Sequence, residues 1–169
     1  DYQTHRHNAG FWFIESLANN LDSKFSSQSK FFGETAICLI GNKKLRLLKP
    51  KTFMNNSGQS VKALSSYYNI EAEEILVIHD DLDLTPGSVK IKMGGGHGGH
   101  NGLKDTIKAL VTNDFYRLRI GIGHPGSKNE VVDFVLSPPG KTDLRLIEQA
   151  IKEAMDVIEL LASGDFEQA

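Results

Sequence analysis

Four polar clusters carry the residue types that could do chemistry. They are Arg6-His7-Asn8, Met54-Asn55-Asn56-Ser57-Gly58, His79-Asp80-Asp81-Leu82-Asp83, and the run Gly94-Gly95-Gly96-His97-Gly98-Gly99-His100-Asn101-Gly102. Histidine with aspartate is a base with its orienter: the carboxylate selects the tautomer and stabilises the imidazolium that forms. No GxSxG elbow supplies a serine for such a base to activate, so it would act on water. Asparagine amides are neutral donors suited to a developing oxyanion. Water, base and amide donors together make a hydrolase for an activated acyl bond. Each cluster also has a plain structural reading. His7 could be a surface or capping residue ahead of a helix, Asn55 or Asn56 an N-cap, and Asp80 and Asp83 turn formers after a strand.

The glycine run resists that treatment. Five glycines in the six positions 94–99 raise the entropic cost of ordering the chain, so the backbone there must take positive φ or approach a ligand closely. It is neither a GxGxxG turn after a central strand nor a GK[ST] P-loop, which disfavours a nucleotide cofactor. His97 and His100 sit three apart in a loop, without HExxH or Cys/His ligand spacing. No metal and no cofactor are expected.

The elements that must position these residues follow from periodicity. Phe11, Phe13 or Ile14, Leu17, Ala18 and Leu21 make a helical stripe over Gly10–Leu21. Ala36–Ile40 and Leu45–Leu48 flank Gly41-Asn42-Lys43-Lys44 as a β-hairpin. Val61, Leu64 and Tyr68 predict a helix over Ser57–Tyr68, capped near Asn55–Ser57. Ile75-Leu76-Val77-Ile78 reads as a buried central strand ending in His79-Asp80-Asp81. Ser88–Met93 alternates, with Lys90 and Lys92 on the wet face. A helix is expected over Asn101–Leu110, an alternating strand over Arg117–Gly123, and one long helix from Thr142-Asp143 to Ser163-Gly164, striped by Leu144, Ile147, Ile151, Met155, Ile158 and Leu161. Interleaved strands and helices predict a three-layer α/β domain spanning 1–169, with a mixed, mostly parallel central sheet. In such sheets ligands bind at the carboxyl ends of strands, where His79-Asp80 falls.

Bulk properties narrow the partners. The 169 residues, 40% apolar and 24% charged, suit one soluble domain with its own core. The single cysteine, Cys38, lies in an apolar run and reads as a small buried hydrophobe. No signal peptide and no membrane-length apolar run is present, which fits the cytoplasm. The net charge of −2 hides an asymmetry: Gly87–Lys128 carries seven bases against two acids, and Lys141–Ala169 three bases against seven. A basic middle, with Lys90 and Lys92 on one strand, suits a polyanionic substrate.

Taken in order, five segments resemble bacterial peptidyl-tRNA hydrolase: Arg6–Phe11, Thr52–Gly58, His79–Leu84, Lys92–Lys104 and Arg117–Gly126. The resemblance implies hydrolysis of the ester between peptide and tRNA by a metal-independent, cofactor-free cytoplasmic monomer without an obligatory protein partner, which rescues tRNA from stalled translation. It implies His7 as the general base and Asp80 as its orienter. Asn55 and Asn101 would bind the peptide main chain or polarise the ester. Tyr2, Asn8, Met54, Asp83 and His100 would contact substrate. Lys92 and Arg119, helped by Lys90 and Lys104, would clamp phosphates of the tRNA acceptor stem and 3′ end. The family also opens with a central strand and a Gly-Leu-Gly-Asn-Pro-Gly-like turn ahead of the Tyr2–Asn8 region, and extends beyond Gly164. A chain starting at Asp1 is expected to lack both, and so to be less stable and less active. The alternative is a non-catalytic RNA-binding relative. The combination His7, Asp80, Asn55 and Asn101 argues against it, because binding alone needs no base.

Overall fold

The computed structural model describes residues 4–163; Tyr2 and Gly164 lie outside them. The chain divides into two compact units. Ile14–Val77 with Lys92–Arg117 forms one; residues up to Phe13, Ile78–Ile91 and residues from Leu118 onward form the other. The elements are α-helices and β-strands in the interleaved order expected of the α/β class.

In the unit containing Ile14–Val77, β1 (Ser26–Gln28), β2 (Gly33–Ile40) and β3 (Lys43–Pro50) form an antiparallel sheet in that order. The hairpin closes tightly, Ile40 facing Lys43. Gly41 takes φ +59° in the first central position of the turn, as a type II′ turn requires. Ala36, Cys38 and Ile40 alternate inward against exposed Ile37 and Leu39. Cys38 is therefore a core hydrophobe.

A single 3₁₀ turn (Met54–Asn56) leads into α2 (Ser57–Tyr67), and α3 (Asn101–Leu110) packs on both. Gly58 makes this packing possible: a Cβ there would lie 2.4 Å from the Asp105 carbonyl oxygen. The cap of α2 differs from the expected one. Asn56 occupies the cap position without a side-chain cap bond, and the Gly58 N–H donates instead to the Asp105 carboxylate of α3 at 2.8 Å. A carboxylate from the neighbouring helix thus satisfies an orphan donor at the positive end of α2.

The glycine run has a structural occupant. Gly94, Gly95, Gly98 and Gly99 all take positive φ. The carbonyls of Gly95 and Gly96 turn onto the Arg117 guanidinium, which donates from Nη2 to Gly95 at 2.8 Å and from Nη1 to Gly96 at 2.6 Å. Arg117 also reaches the Asn113 carbonyl, stacks 4.8 Å from the Phe115 ring centre, and is 2% exposed. A buried cation is tolerated when its donors are matched, and here carbonyls of Gly95, Gly96 and Asn113 take up the two terminal amino groups.

The second sheet has the order β4 (Leu76–Asp81), β6 (Tyr116–Gly121), β5 (Val89–Met93). Tyr116 N–H donates to Ile75 and Ile122 N–H to Asp81, so β4 and β6 run parallel. Gly121 N–H donates to Ser88 and Gly94 N–H to Phe115, so β5 runs antiparallel to β6. The sheet is mixed. Contrary to expectation, β4 is an outer strand among the described residues. Leu76, Val77 and Ile78 are only half-buried, because hydrogen-bonded cover comes from the β6 side; His79 and Asp80 are the buried residues of the strand. The middle strand β6 does bury Leu118 and Ile120, with Ile122 following.

In the unit holding the amino end, Arg6 is buried. It donates to Ser137 Oγ at 2.7 Å and to the Pro138 carbonyl at 3.0 Å, and lies 4.0 Å over the Phe134 ring. These contacts tie the turn Arg6–Asn8 to α4 (Val131–Val135) and the loop after it. The expected long carboxyl-terminal helix is two: α5 (Lys141–Met155) and α6 (Ile158–Ser163). Asp156 and Val157 N–H groups bond three residues back, to Glu153 and Ala154, and this tightening ends the α-helical ladder. Ile147 and Ile151 are buried on α5 as the stripe predicts; the Leu161 side chain lies outside the described residues.

Two substitutions test this packing. Helical Gly→Ala normally stabilises by about 1 kcal/mol. At Gly10 in α1 (Ala9–Asn20) the added Cβ would sit 2.4 Å from the Ile78 carbonyl oxygen, so Gly10→Ala is expected to cost about 2 kcal/mol in denaturant unfolding. Arg117→Met leaves the Gly95 and Gly96 carbonyls without their cationic donor and is expected to cost roughly 3 kcal/mol. Faster amide exchange across 94–99 should accompany it.

Candidate active site

The unit holding the amino end brings together the two residues expected to form the base. His7 lies in the turn Arg6–Asn8 and Asp80 near the carboxyl end of β4, 73 positions apart in sequence. His7 Nδ1 is 2.9 Å from Asp80 Oδ2 and 3.0 Å from Oδ1. An ionised carboxylate accepts only, so Nδ1 carries the proton and Nε2 holds the lone pair. The Asp80 side chain is 3% exposed and that of His7 15%. In such burial the carboxylate acts on an imidazolium with little screening. His79 supports the pair from behind, its Nδ1–H donating to the Asp80 carbonyl at 2.7 Å.

Three constraints produce this contact. The Arg6 anchor fixes the turn. Gly10 lets the first turn of α1 approach the backbone of Ile78 and His79. Pairing with β6 holds the tip of β4, through Ile122 N–H to the Asp81 carbonyl at 3.0 Å. A proton-abstracting imidazole is the chemistry this arrangement supports. The same Asp–His arrangement also orients imidazoles that ligate metals through Nε2, so the two chemistries are separated by experiment.

In the same unit the other expected residues differ. Asn8 is half-buried and Asp83 exposed. Lys90 is exposed on β5. Arg119 is half-buried, and its Nε donates to Asp81 Oδ2 at 2.7 Å. Asp81 was not singled out by the sequence, yet its other oxygen accepts from Asp83 N–H at 2.8 Å. It closes the turn after β4 and holds Arg119 at once. Its only sequence signal is its place in an acidic run.

In the other unit, four expected residues flank the start of α3. Met54 and Asn55 lie in the 3₁₀ turn that packs on α3; Asn55 is exposed and Met54 half-buried. Asn101 is the exposed first residue of α3. His100 is its N-cap, Nδ1 accepting from Leu103 N–H at 3.1 Å, which places the His100 proton on Nε2. A Cβ on Gly102 would lie 2.6 Å from Met54 Sδ and 3.1 Å from His100 Cε1, so only glycine lets the thioether and the ring close over the helix start. Carboxamides beside a helix amino terminus, where backbone N–H groups point outward, make a surface suited to carbonyl or anionic oxygens. Lys104 is exposed on α3, and the Lys92 ammonium lies against Gly95. Arg117, which shapes the loop before His100, was read as a charge at the start of a strand and not as a partner of that loop. The signal was the glycine density itself, a row of carbonyls needing a donor.

Comparison with known proteins agrees with these features. The family model described as peptidyl-tRNA hydrolase matches residues 1–169. The peptidyl-tRNA hydrolase of Ruthia magnifica is 52% identical over 169 residues, covering 100% of this chain and 88% of its own. That of Haemophilus influenzae is 54% identical over 161 residues, covering 95% of this chain and 83% of its own. The crystal structure of peptidyl-tRNA hydrolase from Acinetobacter baumannii superposes with a TM-score of 0.96 at 46% identity, over 99% of this chain and 85% of that one. A match along the whole chain, with relatives at about half identity, places this protein in the peptidyl-tRNA hydrolase family.

Proposed function

We propose that this chain hydrolyses the ester joining a peptide to tRNA, with His7 as general base and Asp80 as the group that orients it. The observation carrying the reading is the His7 Nδ1–Asp80 contact at 2.9 Å, which leaves the basic lone pair on Nε2. Nε2 takes a proton from water, and the oxygen attacks the ester carbonyl. The buried Asp80 carboxylate stabilises the imidazolium through that step. Carboxamides of Asn55 and Asn101 polarise the carbonyl or hold the peptide main chain, and donate to the oxyanion. Collapse breaks the bond to the ribose oxygen, which recovers a proton from His7 Nε2. Free tRNA and a peptide carboxylic acid leave.

Asn8, Met54, Asp83 and His100 are proposed to contact substrate on the peptide or 3′-end side, with Tyr2 assigned the same role by resemblance. Lys90, Lys92, Lys104 and Arg119 are proposed to meet phosphates of the acceptor stem. Lysines act there as point charges, and Arg119 keeps its terminal amines to offer although its Nε is engaged by Asp81. The protein is proposed to act as a cytoplasmic monomer without metal or cofactor, and residues 1–169 as one domain that unfolds in a single transition. Among the described residues, no helix is long and apolar enough to cross a membrane.

Release of a labelled N-blocked aminoacyl group from tRNA tests the chemistry. His7→Ala is expected to lower kcat by roughly 10²–10⁴ in a fold of parental stability, with chelator leaving parental activity unchanged. Full activity in His7→Ala would end the mechanism, and chelator-sensitive activity would assign Nε2 to a metal. Asp80→Asn offers an amide donor to Nδ1 and so favours the wrong tautomer; kcat should fall by roughly 10²–10⁴ while KM changes little. Lys92→Ala should raise KM and flatten the dependence of log KM on log salt by about one unit; an unchanged slope would remove Lys92 from the phosphate contacts.

A further inference from the structure

A second basic cluster lies in the Ile14–Val77 unit, on residues to which the proposed catalysis gives no role. A cavity of about 330 Å³ opens there, lined by Lys24, Ser26, Lys30, Thr35, Arg46 and Tyr68 among others. Three of its lining residues are cations and none is acidic. Arg46 is half-buried and its guanidinium carbon lies 3.5 Å from the Tyr68 ring centre. Lys30 Nζ lies 4.2 Å from the centre of the Tyr67 ring and 4.9 Å from that of Phe31. The three rings form one cluster, with centres 4.8–5.9 Å apart.

Two lysines at the far end of the same hairpin are handled differently. Lys49 pairs with Glu15 at 3.0 Å and with Glu34 at 3.3 Å, and Lys51 pairs with Glu34 at 3.3 Å. Burial raises the Glu34 pKa, but the two lysines outweigh it and hold the carboxyl below its ordinary value. Glu34 and Lys49 face each other in register; Ile37 and Arg46 form a register pair of the opposite parity, next to Thr35. Alternation therefore places the neutralised charges on one face of β2–β3 and Arg46 on the other. Among the described residues no carboxylate pairs with Lys24, Lys30 or Arg46. Gathering like charges is unfavourable, and ring faces offset it only by about 0.5–2 kcal/mol each. The hydroxyls of Ser26 and Thr35 add donors.

We propose that this cavity binds a phosphate ester. Its cations and hydroxyls come from separate segments, Lys24 and Ser26 at β1, Lys30 just after it, Thr35 on β2 and Arg46 on β3, a set of separate donors that suits a tetrahedral oxyanion better than a planar carboxylate served by one guanidinium fork. The volume lies at the low end of small-ligand sites, roughly 300–1,000 Å³, enough for a phosphate with a small substituent. Lys30 and Arg46 each occupy one face of Tyr67 and Tyr68, and the site is assigned to the phosphate and not to a stacked base. That phosphate comes either from the backbone of the RNA substrate, a source that rests on the hydrolase reading, or from a free nucleotide, which does not.

Calorimetric titration of the whole protein with inorganic phosphate and with adenosine 5′-monophosphate tests the site. Saturable 1:1 binding is expected, weakened about tenfold or more in Arg46→Gln and in Lys30→Gln, with ligand-induced amide shifts at Ser26 and Thr35. Lys30 is exposed, so Lys30→Gln keeps the test valid should Arg46→Gln lose stability along with its Tyr68 contact. If the source is RNA, both variants also raise KM for peptidyl-tRNA at unchanged kcat, with a shallower salt dependence. If the source is a free nucleotide, KM stays parental while nucleotide binding is lost. Absence of saturable binding by either probe together with parental KM in both variants overturns the proposal. Binding that survives unchanged in both variants also overturns it, because the phosphate then sits elsewhere. A protein without hydrolase activity would refute the proposed function, and the two titrations would still decide the site.

Discussion

The proposed chemistry depends on one hydrogen bond, from His7 Nδ1 to the Asp80 carboxylate. That bond is expensive to arrange. A carboxylate exposed to only 3% of its surface has lost most of its hydration, and it remains ionised only if charge or donors replace the water. His7 is one such donor. The surrounding structure holds the two together with groups of no chemical function: the Arg6 anchor on Ser137 and Pro138, the missing Cβ of Gly10 over Ile78, and the parallel pairing that fixes the tip of β4. A base whose position against its orienter must hold to within a few tenths of an ångström needs such rigid support.

How far this was legible in the sequence depended on the range of each interaction. Local periodicity placed α1, α3, the β2–β3 hairpin and the inward face of β6, since those depend on neighbours a few residues away. Readings that needed knowledge of distant neighbours went astray. The apolar run before His79 looked like a fully buried central strand, but apolar composition cannot report which edges are paired, and β4 is an outer strand among the described residues. Asn55 or Asn56 looked like a cap, but Asn56 holds the cap position without a side-chain bond and Asp105 of another helix delivers the carboxylate. The stripe from Leu144 onward continued across Asp156, where the backbone tightens and ends α5. Among the site residues, sequence spacing said nothing of a His7–Asp80 contact across 73 positions; the match to a family pattern did.

The glycine run shows how one sequence signal can have a cause different from the one it suggests. Its density implied positive φ or a close ligand. Positive φ is present at Gly94, Gly95, Gly98 and Gly99, and the group approached closely is a side chain of the same chain, Arg117. The loop is thereby ordered just ahead of His100 and Asn101. An ordered approach to the start of α3 lowers the entropy that any ligand at that helix end would have to remove.

Three arginines finally separate formal charge from usable charge. Arg117 counts toward the basic middle segment, yet it is 2% exposed and committed to carbonyls. Arg119 counts as well, and Asp81 already offsets part of it. Arg46 lies outside that segment, rests on a ring and has no carboxylate partner among the described residues. The exposed positive charge of the middle segment is therefore chiefly that of its lysines, Lys90, Lys92, Lys104, Lys108 and Lys128. Ammonium groups on flexible stems attract phosphate without demanding one geometry. That suits an enzyme whose substrate, a peptidyl-tRNA, carries a phosphate backbone along its tRNA part.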